Sequence, residues 1–396
     1  MIPRRRVHVQ LRDELRLLRR LARGSADPAA VARLEAAVAK LVGVKHAVAV
    51  ASGRRAMSLI LAELGVGVGT ELIVPAYTLG ALTPLVEALG AQVVPADIEL
   101  ASLNMDPEAV RRCIGPRTRG ILALHAFGTP CHIDALAQLA RDHGLALVED
   151  CAHALGAELN GRAVGSWGDA SFVSFETTKP LNTWGGGMVL SDDATLCARI
   201  RDGLGGERPD PASVRGKLVA VAAERVLFGT GLAWPALLGL ASPTVADGLA
   251  TFYRRFQHAP PTDLAYLPAQ AELGLAKLDS LTSRIASRER SAQLLSSLLH
   301  PSIRTQHIPD SATPTRYFFV AVLPEPAGRA RRRLLLRGID AGVGDEIADD
   351  VAAMQGLETC PKLEGLHPRA IQLPLWDHMP DRVVRRVAAA LNAALR

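Results

Sequence analysis

Aromatic side chains are scarce in this chain, at 4% of 396 residues. Its core must therefore come from small and branched apolar residues, and hydrophobic residues still reach 48% overall. That content excludes a disordered or tail-like chain, and the length excludes a small stapled scaffold. A strong charge of one sign is also missing. Lys+Arg of 45 against Asp+Glu of 40 leaves +5, which at this length does not mark a nucleic-acid partner. The five cysteines, Cys113, Cys131, Cys151, Cys197 and Cys360, are widely spaced and form no CxxC pair. They read as small buried thiols of a reduced, cytoplasmic protein and imply no metal site. The opening MIPRRRVHVQLRDELRLLRRLARG has basic residues with no apolar run behind them, so a secretory signal is not expected. The Arg4–Arg6 cluster reads as a solvated end, and the basic RRRLLLRG at 331–338 as a solvated helix face. No helix-turn-helix block accompanies them.

Long hydrophobic runs are missing too, with one exception. From Val226 to Ala246 the sequence VLFGTGLAWPALLGLASPTVA carries no charge and approaches the length of a membrane span. Pro235 and Pro243, with Gly229, Gly231 and Gly239, interrupt it. A broken helical flap is expected, packed on the body, lining an apolar substrate pocket or touching a membrane surface.

Over the first 250 residues, short apolar runs alternate with helical patterns, as a mostly parallel sheet covered on both faces requires. Strands are expected at His46–Ala51, Glu71–Pro75, Ala91–Pro95, Gly120–His125, Leu145–Glu149, Ser171–Phe175 and Gly187–Leu190. Helices are expected at Arg54–Glu63, Gly80–Leu89, Pro107–Cys113 and Ile133–His143, with Asp106 as an N-cap. Further on, Pro268–Leu278, Thr282–Leu298, Ala330–Arg337 and Asp381–Leu395 read as helices and Tyr317–Leu323 as a strand. The composition therefore divides the chain into a large domain at 1–250, connecting helices at 251–300 and a small C-terminal domain at 301–396.

Three places carry groups suited to chemistry. Ser52-Gly53-Arg54 follows a strand and opens a helix, where free N–H groups and the positive helix end favour a phosphate. Strand-glycine-helix junctions are also common as plain structure. Asp150 ends the apolar run LALVED, where open α/β sheets place ligands, and a carboxylate there can hold a heterocycle nitrogen protonated. His153 follows within a turn; each also fits a loop cap or a structural histidine. Lys179 lies in a polar turn between two apolar strands, ahead of three glycines, where an amine can act as a nucleophile toward a carbonyl. Ser174, Thr177 and Thr178 are hydroxyls close enough in sequence to serve a phosphate. A lysine in a turn is ordinarily a solvated one.

These segments, in this order and spacing, resemble the DegT/DnrJ/EryC1/StrS family of sugar aminotransferases. The resemblance is dense from about residue 28 to about 200, through LEAAVAKLVGVKHAVAVASG, ELIVPAYT, VVPADIEL, ILALHAFGTPCHIDAL and LVEDCAHALGAELNGRAVGSWGDASFVSFETTKPLNTWGGG. It thins across 205–262 and returns weakly through PAQAELGLAKLDSL, LLLRGID and IQLPLW. It implies a fold-type-I α/β transferase with a large three-layer domain, a mostly parallel mixed sheet and a smaller C-terminal α/β domain. The implied cofactor is pyridoxal 5'-phosphate. By the same resemblance Lys179 forms the Schiff base with the cofactor and shuttles the proton, Asp150 pairs with the pyridine nitrogen, and His153 lies close to the ring. Ser52, Gly53, Arg54 and Ser174 would hold the phosphate.

Four positions depart from the family pattern. Arg54 stands where threonine is usual, and Leu79 where an aromatic often stacks on the cofactor, a role Tyr77 is the candidate to fill. Trp184-Gly185-Gly186-Gly187 stands where Gly-Glu-Gly-Gly is usual, so a carboxylate is missing and an indole is gained. Asp263 and Ala265 replace an Asn-x-Arg that a neighbouring subunit commonly presents. The implied activity is transfer of an amino group from a small-molecule donor such as glutamate to a carbonyl acceptor on a sugar or sugar-like intermediate. A homodimer is expected, with no nucleic-acid partner and with 226–246 as a possible contact for a membrane surface or a lipid-linked acceptor. The alternatives are a lyase, dehydratase or racemase using the same cofactor, and a non-catalytic member acting as a partner or sensor.

Overall fold

A computed structural model describes residues 1–230 and 264–395. Seven strands form its central sheet: β1 (His46–Val50), β2 (Glu71–Pro75), β3 (Gln92–Ala96), β4 (Thr118–Leu124), β5 (Ala146–Asp150), β6 (Ala170–Ser174) and β7 (Gly187–Ser191). Their order is β1-β7-β6-β5-β4-β2-β3. Neighbours pair in parallel except at β7, which runs against both β6 and β1. The mixed but mostly parallel α/β sheet is the architecture the strand–helix alternation predicts.

Parallel strands need cover on both faces, and alternate residues divide between two layers. Val48, Val50, Val74, Leu122, Val148 and Phe172 meet α3 (Gly53–Glu63) and α7 (Ala194–Gly203). Ala47, Ala49, Val173 and Met188 meet α2 (Ala30–Val42) and α9 (Pro268–Leu278) on the other face. There Ile73, Ile121 and Leu147 meet α5 (Pro107–Cys113) and α6 (Ile133–His143). On α3, Ile60 and Leu61 are fully buried, each contributing about 2 kcal/mol relative to exposure.

A second, antiparallel sheet has the order β8-β9-β11-β10, from Arg304–Thr305, Phe319–Val322, Gly342–Val343 and Ala370–Leu373 in chain order. Its core takes Ala292 and Leu295 from α10 (Leu281–Leu298), Leu334 from α11 (Gly328–Leu336), and Val384, Val387 and Leu391 from α12 (Asp381–Ala394).

Element ends differ from the sequence reading by a residue or two at most places. The helix expected from Gly80 begins at Thr83 as α4 (Thr83–Ala88), after a tight 3-10 turn at Gly80–Leu82. Pro84 explains the shift, since proline fits the first turn of a helix and breaks it deeper in. The N-terminus is not a solvated end. Ile2 bridges Ile339, Arg4 pairs with Glu346 at 2.7 Å, Arg6 lies 4.6 Å over the Trp376 ring, and α1 (Leu11–Arg23) packs on α9. Nor is 331–338 simply a solvated face: Arg331 is buried and pairs with Glu346 at 2.5 Å. The uncharged stretch enters α8 (Pro211–Thr230). Its remainder, with Trp234, and Asp263 lie outside the described residues. Among the described residues no helix is long and apolar enough to cross a membrane.

Candidate active site

The carboxyl ends of β5 and β6, the start of α3 and the turn after β6 converge on one place. Ser52 caps α3, its Oγ accepting from Arg55 N at 3.1 Å. Gly53 and Arg54 supply N–H groups of the first turn of that helix. A Cβ on Gly53 would stand 3.0 Å from Ser174 Cβ and 3.4 Å from its Oγ, so a larger residue here would press on Ser174. β7 closes the cradle from behind, for a Cβ on Gly187 would strike Gly53 N and Ser52 C at 2.5 Å. Thus Ser52 and Gly53, more than a hundred residues before Ser174, meet it at a helix N-terminus and bring hydroxyls and amides together. The set suits a phosphate.

Arg54 is half-buried beside this cradle. Burial lowers its pKa and the Glu176 carboxylate opposes that shift. Glu176 is itself raised by burial, but Lys217 of α8 at 2.6 Å and hydrogen bonds from Thr177 outweigh this and bring it below the ordinary value. The Thr177 and Thr178 hydroxyls, offered by the sequence as phosphate donors, are engaged elsewhere. Thr177 donates to Glu176, and Thr178 pairs with the Tyr317 hydroxyl at 2.8 Å.

Asp150 ends β5 and is buried, with Oδ1 accepting from Ala152 N at 2.9 Å. Burial raises its pKa; the Ala152 N–H and the charges of Lys179 and His125 work in the opposite direction. His153 follows, held by its carbonyl, which accepts from the Thr315 hydroxyl at 2.6 Å. Burial and the Lys179 charge push its pKa well down, so the ring is neutral. Its Nδ1 is buried without a hydrogen-bond partner among the described residues. The Lys179 amine lies 5.0 Å from the centroid of Tyr317, and that ring stacks on His153 at 4.2 Å and 17°. Lys179, Asp150 and His153 therefore occupy one neighbourhood, next to the Ser52–Gly53–Ser174 cradle.

Tyr77 sits elsewhere in its contacts. It is buried in a core shared with the second sheet, edge-on to Phe127 at 5.5 Å and to His367 at 5.8 Å. Leu79 remains 39% exposed, an open wall where an aromatic was missed. Tyr317 is the aromatic that touches both Lys179 and His153. It heads the apolar run YFFVAVL, and the sequence gives no sign separating it from the strand that starts at Phe319.

Behind Asp150, Glu149 accepts from Gly165, Trp167 and Gly168 N–H groups at 2.7, 2.7 and 2.9 Å. With His125 and Cys151 its donor atoms lie within 4.8 Å of one another. Three backbone donors already occupy the carboxylate, which makes this cluster an anchor for the 165–168 loop.

The donor set fits pyridoxal 5'-phosphate: hydroxyls and amides at a helix N-terminus, a buried carboxylate, an imidazole nitrogen without a hydrogen-bond partner among the described residues, and an amine near them. Residues 20–204 match the model of the DegT/DnrJ/EryC1/StrS aminotransferase family. Over 173 residues the chain is 39% identical to GDP-perosamine synthase of Vibrio cholerae, covering 43% of this chain and 47% of that protein. Over 169 residues it is 42% identical to a UDP-N-acetyl-3-dehydro-alpha-D-glucosamine 3-aminotransferase of Acidithiobacillus ferrooxidans, covering 42% and 46%. The chain thus spans about half the length of the curated relatives it matches. Solved structures align over nearly the whole chain. DesI with its TDP-sugar product aligns with a TM-score of 0.73 at 27% identity, covering 99% of this chain and 91% of that one. The aminotransferase TlmJ of Streptoalloteichus hindustanus aligns at 0.78 and 23% identity, covering 100% and 97%, which speaks for the fold alone. Over residues 20–204 the chain is thus similar to the DegT/DnrJ/EryC1/StrS aminotransferase family.

Proposed function

We propose that this protein is a pyridoxal-phosphate-dependent aminotransferase that moves an amino group from an amino acid such as glutamate to a carbonyl of a sugar or sugar-like intermediate. The observation that carries the reading is the convergence of Lys179, Asp150 and His153 beside the Ser52–Gly53–Ser174 cradle. Pyridoxal 5'-phosphate, when bound, supplies an aldehyde for linkage to an amine and a protonated ring that withdraws electrons. The chain's own residues do the rest. Gly53 and Arg54 N–H groups with the Ser52 and Ser174 hydroxyls bind the phosphate, and the Arg54 guanidinium adds charge. Asp150, ionised, holds a proton at the ring nitrogen, and the favourable pairing there offsets the burial that raises its pKa. Neutral His153, backed by Tyr317, presents a flat face that fixes the ring. The Lys179 amine is the nucleophile, and released from that duty it takes and returns the proton at the substrate's α-carbon.

The relatives that act on nucleotide sugars support a sugar acceptor. The same reading includes a homodimer, as the resemblance implies, and a lipid-linked or membrane-surface contact at 226–246, supported by the uncharged sequence there. A cytoplasmic location is supported by the five free cysteines. The division into 1–250, 251–300 and 301–396 is kept as its domain plan, supported by the separate core of the second sheet. The test is to add glutamate to protein loaded with pyridoxal 5'-phosphate and follow absorbance and keto-acid release. A spectral change with stoichiometric 2-oxoglutarate is expected; no change with any amino donor would refute the reading.

A further inference from the structure

Lys277, on α9, is fully buried and has no part in the chemistry above. Its amine donates to the Asn182 carbonyl at 3.1 Å and to Asn182 Oδ1 at 2.5 Å, and pairs with Glu14 of α1 at 2.8 Å. Asn182 is 1% exposed and its Nδ2 donates to the Thr177 carbonyl at 2.8 Å, spanning the turn that holds Lys179. The second oxygen of Glu14 accepts from the Trp184 indole at 2.5 Å. Trp184 sits at φ +64, a conformation a bulky side chain adopts only when its surroundings hold it there. One buried carboxylate therefore grips the turn directly through Trp184 and indirectly through Lys277 and Asn182. Glu14 also lies outside residues 20–204, the part matched by the family model.

A parallel arm has the same form. Arg284 donates to the Pro180 carbonyl, the residue after Lys179, at 2.8 Å. Its charge is met by Asp377 at 3.4 Å, and Asp377 in turn faces His8 at 3.3 Å and Arg288 at 2.5 Å. The His8 carbonyl accepts from Asn182 Nδ2 at 3.1 Å. The N-terminal segment thus reaches the Lys179 turn at Asn182 and Trp184 and closes both buried cation arms.

We infer that Glu14 is a positioning residue for Lys179, acting through the buried Glu14–Lys277–Asn182 chain to fix the 177–183 turn. The inference rests on Lys179 being the reactive amine. Burial lowers the pKa of Lys277 and the Glu14 charge raises it, so removing that charge weakens the cation that holds Asn182.

The experiment compares wild type, Glu14→Gln, the double variant Glu14→Gln/Lys277→Met, and Glu272→Gln. Glu272 joins α1 to α9 through Arg20 at 3.0 Å without touching the turn, so its loss measures simple docking of the helix. Hydrogen exchange of the cofactor-free protein is read at the Lys179, Thr183 and Gly185 amides, which bond to Glu176 and Phe175 carbonyls. Glu14→Gln should speed exchange there about tenfold, and the double variant, which also loses both Lys277 donors to Asn182, should be no better protected, while Glu272→Gln leaves it unchanged. The rate at which pyridoxal 5'-phosphate becomes trapped on Lys179 by borohydride should fall in the same order. Equal exchange in Glu14→Gln and wild type, or equal loss in Glu272→Gln, overturns the inference. Should Glu14→Gln fail to fold, wild-type exchange across graded denaturant decides. The three turn amides should open together with α1, and protection that outlasts α1 overturns the inference. Failure of wild type to trap the cofactor at all would instead count against the proposed function and leave the exchange result to judge the positioning claim.

Discussion

The two flanks of the Lys179 turn are built on different principles. Before the lysine, Ser174 and Phe175 continue a strand of the central sheet and rest against Ser52 and Gly53, a cradle of neutral hydroxyls and amides made by close backbone approach. After it, Pro180 and Asn182 are held by buried cations, Arg284 and Lys277, whose counter-charges come from Asp377 and Glu14. In the proposed function the first flank recognises a ligand, and its contacts are between neutral groups. The second has no ligand to recognise and depends on full charge compensation, since an unpaired buried charge is far more costly than an unfilled hydroxyl.

That contrast can be broken at four points. The lysine itself comes first. Lys179→Ala should reduce amino-group exchange by at least about a thousandfold while leaving the melting temperature near that of wild type. A comparable loss of stability would mean that the turn is structural rather than reactive. On the cation flank, Asp377→Asn should destabilise the protein by about 3 kcal/mol in denaturant titrations, because Arg284 and Arg288 lose their shared partner. The sign of its pH dependence is fixed. Burial alone would raise the Asp377 pKa, but His8, Arg288 and Arg284 outweigh it and hold the carboxyl well below 3.8 in the folded state. Its stabilisation is therefore complete above the ordinary carboxylate range and is lost as pH falls through the folded value. The acid limb of a stability–pH profile should flatten in Asp377→Asn.

On the cradle flank, Gly53→Ala places a methyl 3.0 Å from Ser174 Cβ and should cost about 2 kcal/mol or less in stability. Its larger effect should be on retention of pyridoxal 5'-phosphate, measured by dialysis, and unchanged retention would contradict the cradle. The smallest effect belongs to Ser52→Ala, a lost N-cap worth about 1 kcal/mol, again with weaker retention than the stability change suggests. If cradle variants lost stability as steeply as Asp377→Asn, the distinction between the flanks would fail.

The same two flanks divide what the sequence makes legible. Ser52-Gly53, Asp150 and Ser174-to-Lys179 are short local runs at strand ends, ordinary as junctions and turns, and the family resemblance is what singles them out. The central sheet is legible directly, since buried parallel strands such as LALVED are continuous apolar runs. Tyr317, Arg284, Lys277 and Glu14 come from separate helices and loops, and each is an ordinary residue of its own segment. Lys277 looks like a solvated lysine near a helix end, and only the packing of α9 against α1 and α2 buries it. Trp184 shows the limit most clearly. In the sequence it is an indole gained beside a lost carboxylate, whereas in the fold a carboxylate from α1 meets that indole.

The central claim is that Lys179 is the amine that links to the cofactor. Protein loaded with pyridoxal 5'-phosphate, reduced with borohydride and mapped by peptide mass spectrometry tests it most directly. The reduced adduct is predicted on Lys179 alone and should be absent from Lys179→Ala. An adduct on Lys217, Lys277 or any other lysine in the wild-type protein would contradict the account.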